Sequence, residues 1–338
     1  MTKEKANIAI LGATGVVGRE ITKIVDELKI DFKSIKFLSS AKSAGSKIEF
    51  QGKEYTVEEA KPESFDGVNI VLASAGGSTS QKFAPEIVKR GGVLIDNSSA
   101  FRMEEDVPLV IAYVNDEDLK KHKGIIANPN CSTSQLMLVL KPLHDKFGIK
   151  KLIVSTYQAV SGAGIKAINE LTENTKATLA GEEFTPDAFK KPISFNVLPQ
   201  IDVFCDNGYT KEEMKMINET KKILNDESIR VTATTVRVPV RYGHSVCLNL
   251  EFENPFEMEQ IYKLLQETEG VNIVDDVKNN VYPMPIDVEG KDEVYVGRIR
   301  RDYSVENGIN MWVVADNIRK GAATNTVQIA ELLIKKLK

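Results

Sequence analysis

Short apolar runs and helical stripes alternate through the first part of the chain. Asn7 to Leu11 is a strand-like run that ends directly on glycine. From Gly15 to Leu28 the apolar residues Val17, Ile21, Ile24, Val25 and Leu28 recur at the spacing of one helix face. Ile35 to Leu38, Asn69 to Ala73 and Val93 to Asp96 are short runs suited to buried strands. Thr79 to Arg90 reads as a helix between two of them, and Ile125 to Ala127 as the last strand of the series. Strand-helix alternation of this kind predicts a parallel sheet covered on both faces, an α/β architecture.

Near residue 150 the pattern changes. Longer β-rich runs follow: Lys151 to Val160, Arg230 to Val240, Ser245 to Phe252, Val294 to Arg300 and Met311 to Ala315. Thr232 to Val238 alternates as a half-buried strand does. Long strands with few crossovers predict an α+β second domain with a largely antiparallel or mixed sheet. Thr326 to Leu337 closes the chain as a helix with Val327, Ala330, Ile334 and Leu337 on one side. No low-complexity linker marks the boundary.

Composition narrows the function classes. With 338 residues the chain has room for two domains. A net charge of -4 and the absence of basic clusters argue against nucleic acid and lipid surfaces as partners. Runs such as Ile70 to Ala73 fall far short of the roughly 18 apolar residues of a membrane span. The opening residues carry no signal-peptide pattern. Cys131, Cys205 and Cys247 are too few and too scattered for a disulfide framework or a zinc site, so no metal is expected. The expectation is a cytoplasmic protein with reduced thiols.

Gly12-Ala-Thr-Gly15-Val-Val-Gly18 follows a strand and opens a helix, the context of a dinucleotide-binding turn. The glycines permit a sharp turn, close approach of backbone to a pyrophosphate, and tight helix-strand packing. Gly12, Thr14, Gly15, Val16, Val17 and Gly18 are therefore candidate cofactor contacts, with the phosphates on free N–H groups of the helix. After the second strand an NAD site usually offers a carboxylate. Here the chain reads Leu38-Ser39-Ser40-Ala41-Lys42-Ser43. Hydroxyls and a lysine suit the extra phosphate of NADP, so Ser39, Ser40 and Ser43 join the candidates.

Asn128-Pro-Asn-Cys131-Ser-Thr-Ser134 lies past a short strand and before the apolar run Leu136 to Leu140. The Pro-Asn turn places Cys131 where a helix begins. A thiol there meets the positive end of the helix dipole, which favours the thiolate needed for covalent acyl transfer. A lone cysteine is more often a small buried hydrophobe, and Cys205 and Cys247 take that reading. His244 follows Tyr242-Gly243, a turn between strands, and histidine exchanges protons near neutrality. His122 and His144 sit among lysines and read as solvated.

With these motifs in hand, the chain resembles the aspartate-semialdehyde dehydrogenase family. The match runs through Asp96 to Arg102, Asn130 to Thr133, Gln158 to Gly164, Glu213 to Lys215, Arg237 to Ser245 and Gly321 to Gln328, in order and over nearly the whole chain. The resemblance implies a Rossmann-type NADP-binding domain over residues 1–130 and 318–338, and a catalytic and dimerisation domain with a mixed sheet over 131–317. It implies Cys131 as nucleophile, Gln158 as the residue orienting the acyl group, and His244 as general acid and base. It further implies Arg237 on the substrate α-carboxylate, Glu213 on the α-amino group, and Arg102 and Lys215 on phosphate. Asn130 and Ser161 become substrate contacts, and Gly162 and Gln328 cofactor contacts. The substrate is a small acyl phosphate, and the assembly a homodimer or homotetramer.

A planar guanidinium suits a bidentate grip on a carboxylate, which supports Arg237. Arg241 shares its strand parity and is a lesser candidate for the same substrate. Glu213 is also readable as an ordinary helix-start carboxylate. An N-acetyl-γ-glutamyl-phosphate reductase would share fold, cysteine and cofactor but needs no carboxylate for an acetylated nitrogen. A glyceraldehyde-3-phosphate dehydrogenase and a catalytically dead NADP-binding paralogue are the more distant alternatives.

Overall fold

The computed structural model describes residues 5–337. The chain divides into two compact units, one formed by the residues up to Asn130 together with those from Ala322 on, the other by Cys131–Gly321.

The first unit is a parallel sheet of β1 (Ala6–Leu11), β2 (Phe32–Ser39), β5 (Glu58–Glu59), β6 (Ile70–Ala73), β7 (Val93–Asp96) and β8 (Ile125–Ala127), in the order β5-β2-β1-β6-β7-β8. Helices α1 (Val16–Glu27), α2 (Gly77–Lys89) and the C-terminal α8 (Thr324–Leu337) cover it, and β3 (Lys47–Phe50) with β4 (Lys53–Thr56) forms a separate hairpin. The period-2 geometry of strands explains the layering. Ile8 and Ile10 of β1 belong to one buried cluster, with Ile21, Ile24, Val327 and Leu333 of α1 and α8. Ala9 and Leu11 belong to another, with Phe83 and Ile87 of α2. Each of the Ile, Leu, Val and Phe side chains among them contributes roughly 1.5–3 kcal/mol on burial. Strand order turns back between β1 and β6, which opens a crevice at the strands' carboxyl ends.

Glycine is required at two points of this crevice. Gly12 has φ +87°, and a Cβ there would stand 2.8 Å from the Ser74 carbonyl oxygen. A Cβ on Gly18 would lie 2.1 Å from the Gly12 carbonyl oxygen, so only glycine lets α1 pack this close to the turn.

The second unit is a mixed sheet, β10-β9-β11-β14-β13-β12, built from β9 (Ile149–Gln158), β10 (Arg230–Arg237), β11 (His244–Phe252), β12 (Val271–Ile273), β13 (Val294–Asp302) and β14 (Gly308–Ala315). Its helices are α3 (Cys131–Phe147), α4 (Ile165–Ala180), α5 (Lys211–Leu224), α6 (Met258–Glu267) and the short α7 (Pro285–Val288). Val246, Leu248, Leu250 and Phe252 alternate inward along β11, while Cys247 and Asn249 are only half-buried. The α+β expectation for this region therefore holds.

The run expected to continue to Val240 ends at Arg237. Pro239 has no N–H to give a ladder, and the Val240 N–H turns back to the Val238 carbonyl at 2.8 Å. This places Arg241 beyond the strand, exposed, with its guanidinium on Thr172 Oγ1 at 3.2 Å, so the parity argument for it as a substrate contact fails.

Candidate active site

Topology gathers four sequence-predicted residues of the second unit at one edge of its sheet. β9 and β10 run parallel in register, which sets Gln158 beside Arg237 at their carboxyl ends. β11 runs antiparallel to β9 and begins there, with His244 as its first residue. Cys131 opens α3, where the Pro-Asn turn places it. Its Sγ lies 3.3 Å from His244 Nε2, and Gln158 Nε2 lies 3.5 Å from the same ring nitrogen. The Ala159 N–H donates to His244 Nδ1 at 3.0 Å, and Arg237 Nη1 donates to the Ala159 carbonyl at 2.6 Å. Gly162 leaves the approach open, since a Cβ there would lie 3.0 Å from Arg237 Nη1 and 3.4 Å from the imidazole.

The site is largely buried and charged. His244, Gln158 and Arg237 are almost wholly buried, and Cys131 is half-buried. Burial first, and then the Arg237 guanidinium, push His244 well below its ordinary value. Burial also lowers Arg237, opposed by the charges of Glu212 and Cys131. A thiol at a helix N-terminus near a guanidinium is in the setting that favours thiolate.

Glu213 does not face this site. Its Oε2 accepts the Thr210 N–H at 2.7 Å, closing a capping box at the start of α5, and its Oε1 accepts the Thr235 N–H at 3.0 Å. Both oxygens therefore serve the backbone. The neighbour Glu212 reaches the site instead, accepting from Gln158 Nε2 at 3.1 Å. A helix turns roughly 100° per residue, so a one-residue error in the sequence reading moves the carboxylate to another face. Lys215 lies one turn after Glu212 and is held by it at 3.1 Å and by Asp202 at 2.9 Å. Burial pulls Lys215 down, but the two carboxylates outweigh it and the net shift is upward. The two glutamates separate experimentally. Glu212→Gln is expected to lower kcat/KM by about tenfold to a hundredfold with little change in melting. Glu213→Ala is expected to lose about 1–2 kcal/mol of stability with KM retained, as thermal melts and steady-state kinetics would read.

Other sequence-predicted positions are accounted for individually. Ser161 is buried, and its hydroxyl is engaged by Asn317, donating to Oδ1 at 3.1 Å and accepting from Nδ2 at 3.0 Å; it ties the turn after β9 in place. Asn317 Oδ1 also accepts the Gly243 N–H at 3.0 Å, so one buried amide joins the two turns that flank His244. Gly321 packs close to Cys131: a Cβ on it would stand 2.9 Å from that of Cys131. No sequence signal singled out Asn317, and Gly321 entered only as the first residue of the motif Gly321 to Gln328. His144 is not solvated but partly buried, with Nδ1 accepting the Ile149 N–H at 3.1 Å. His122 Nδ1 likewise accepts the Gly124 N–H at 3.1 Å.

Arg102 and Asn130 belong to the first unit, and both are buried. Arg102 donates to the carbonyls of Asn128 at 2.8 Å and Asn97 at 2.7 Å, which orient the guanidinium. Gln328 lies half-buried on α8.

The crevice of the first unit is a cavity of about 460 Å³ lined by Gly12, Thr14, Gly15, Ser39, Ser40 and Ser43, among others. Thr14 and Ser39 share a hydrogen bond of 2.9 Å across it. Gly15 caps α1 without a side chain, and no acidic residue occupies the first turn with Val16, Val17 and Gly18. These N–H groups and hydroxyls fit a phosphorylated dinucleotide. One carboxylate does line the cavity: Glu59, carried beside Ser39 by β5 and paired with Lys61 at 3.1 Å. It lies far beyond the segment in which sequence reasoning looks for one. Among the described residues no group of His, Cys, Asp or Glu is arranged to hold a metal ion, and no helix is long and apolar enough to cross a membrane.

A dinucleotide crevice in one unit and a half-buried cysteine against a buried histidine and arginine in the other define a class: nucleotide-dependent oxidoreductases that work through a cysteine. Comparison with known proteins narrows it. The semialdehyde dehydrogenase NAD binding domain matches residues 7–122, and the semialdehyde dehydrogenase dimerisation domain matches residues 140–320. The aspartate-semialdehyde dehydrogenase of Aquifex aeolicus is 56% identical over 333 residues, covering 97% of this chain and 98% of the relative. That of Bacillus subtilis is 52% identical over 337 residues, covering 97% of both. The crystal structure of aspartate semialdehyde dehydrogenase II from Vibrio cholerae complexed with ASA superposes with a TM-score of 0.95 at 46% identity, over 98% of this chain and 99% of that one. The chain belongs to the aspartate-semialdehyde dehydrogenase family.

Proposed function

We propose that the protein catalyses the NADPH-dependent reductive dephosphorylation of β-aspartyl phosphate to aspartate semialdehyde and phosphate, in the biosynthesis of lysine, threonine, methionine and isoleucine. The observation that carries this reading is the Cys131 sulfur 3.3 Å from His244 Nε2 at the sheet edge that also bears Arg237 and Gln158.

Arg237 grips the substrate α-carboxylate, and Glu212 meets its ammonium group. Arg102 and Lys215 attract the phosphate. The Cys131 thiolate attacks the acyl carbon, the C–O bond to phosphate breaks, and a thioester forms on sulfur. NADPH, when bound, supplies the hydride that reduces this thioester. Gln158, fixed between Thr156 Oγ1 at 3.0 Å and Glu212 at 3.1 Å, orients the acyl group. His244 holds a proton beside the reacting sulfur and oxygen. The hydroxyls of Ser39, Ser40 and Ser43 favour NADP, and a Candida albicans relative of 28% identity and TM-score 0.77 is described with NADP. The protein works as a homodimer or homotetramer in the cytoplasm.

The test is NADP reduction by the purified protein with aspartate semialdehyde and phosphate, beside N-acetylglutamate semialdehyde. Phosphate-dependent turnover with the free amino substrate alone is expected. Turnover only with the acetylated one would transfer the site to N-acetyl-γ-glutamyl phosphate and remove the role given to Glu212.

A further inference from the structure

The pairing of β5 with β2 brings an acidic side chain to a crevice whose own sequence segment offers none. In register, Ser39 at the end of β2 lies opposite Glu59 at the end of β5. Side chains alternate between the faces of a strand, so paired residues of neighbouring strands share a face. Ser39 turns its hydroxyl to Thr14 at 2.9 Å, and Glu59 lines the same cavity. Among the described residues that line it, Glu59 is the carboxylate and Lys82, over the Phe83 ring at 4.9 Å, the ammonium group. In an NAD site a carboxylate after the second strand accepts the ribose 2′-hydroxyl. Here β2 ends on a serine, and the carboxylate arrives from the adjoining strand.

The backbone around Glu59 is fixed. The Ala60 N–H donates to the Ser39 carbonyl at 2.8 Å, and Ser64 Oγ donates to the Glu59 carbonyl at 3.3 Å. The side chain is held less firmly. Among the described residues its carboxylate meets the Lys61 ammonium alone, at 3.1 Å. Both side chains are exposed, and Lys61 does not itself line the cavity. An exposed ion pair of this kind is weakly held and opens readily. We propose that Glu59 and Lys61 together set the choice between NADP and NAD in this crevice. Paired with Lys61, Glu59 is masked and leaves the hydroxyls of Ser39, Ser40 and Ser43 to the 2′-phosphate. Released from Lys61, it accepts the 2′-hydroxyl of NAD.

This inference rests on the proposed dinucleotide-dependent reaction and deepens it at the ribose. A 2′-phosphate is an anion that accepts hydrogen bonds, whereas a 2′-hydroxyl can also donate one. A bare carboxylate therefore repels the first and gains a charge-assisted hydrogen bond from the second. The serine hydroxyls admit the phosphate because they can donate to it. Lys61 removes the charge that would reject it, and Glu59 keeps a residual affinity for NAD. Glu59 and Lys61 are specificity-determining residues and take no part in the chemistry at Cys131.

Fluorescence titration of the full-length protein with NADPH and with NADH, at one pH and ionic strength and without substrate, tests this. A mistaken substrate assignment leaves these titrations unaffected. Glu59→Gln is expected to tighten NADPH and to weaken NADH, each by about threefold to tenfold. Lys61→Met unmasks the carboxylate and is expected to weaken NADPH by a similar factor while NADH holds or tightens. In the double variant Glu59→Gln/Lys61→Met most of the Lys61 effect on the NADPH-to-NADH ratio should vanish, because the lysine acts through the glutamate. The proposal is overturned by a ratio that stays within about twofold of wild type in every variant, by NADH affinity that Glu59→Gln leaves unchanged, or by a Lys61 effect that persists undiminished without Glu59. Wild-type protein that binds neither dinucleotide would remove the cofactor reading itself, and this inference with it.

Discussion

With Cys131 replaced by alanine, turnover is expected to fall by on the order of 10⁴-fold or more, while NADPH binding stays at the wild-type level. The two halves of this result have separate physical origins. Alanine removes the atom that forms the thioester, and no second thiol stands near His244: Cys205 lies in a loop, and Cys247 stands on β11 with a side chain of opposite sheet parity to the buried Val246 and Leu248. The cofactor cavity is lined by first-unit residues alone, so the substitution leaves it intact. The fold is expected to tolerate the smaller side chain, because Cys131 is half-buried. Stopped-flow detection of the thioester, steady-state rates and NADPH fluorescence titration are the three readouts. Turnover within tenfold of wild type would remove the covalent mechanism.

Arg237→Ala is the second large effect. The guanidinium is almost wholly buried and has two assignments: its proposed grip on the substrate carboxylate, and its hydrogen bond to the Ala159 carbonyl. Hydrogen bonds to charged groups contribute about 1.5–3 kcal/mol each. Losing a bidentate pair therefore predicts a fall in kcat/KM of roughly 10²–10⁴-fold. Arg237→Lys retains charge but not the planar fork, and it is expected to recover only part of the loss. The variant also removes a positive charge that holds His244 down, leaving burial as the opposing cause. The histidine should then protonate at higher pH than in the wild type. An Arg237→Ala enzyme with unchanged kcat/KM would exclude the carboxylate clamp.

Much of the fold was readable along the chain because its signals are local. The apolar runs at Val93 to Asp96 and Ile125 to Ala127 coincide with β7 and β8. The Pro-Asn turn before Cys131 sets a helix start by backbone restriction alone. The glycine spacing at Gly12 and Gly18 reports a steric demand that no other residue meets. Strand ends were less readable, as at Arg237, where Pro239 and a tight turn decide the last ladder bond.

What the sequence by itself determined is the set of candidate parts: a glycine turn between strand and helix, one cysteine at a helix start, a histidine at a strand start, and two domains of different sheet type. Which carboxylate serves the site was a tertiary decision. Glu212 and Glu213 are adjacent and chemically alike, and only the capping box at Thr210 and the Thr235 N–H draw one of them away. Ser161 and Asn317 find each other across 156 positions, and Glu59 enters the cofactor cavity through the pairing of β5 with β2. His244 Nδ1 accepts a main-chain N–H from a residue 85 positions earlier. Local periodicity carries no information about such pairings, because they exist only once the strands have taken their register and the helices their rotation.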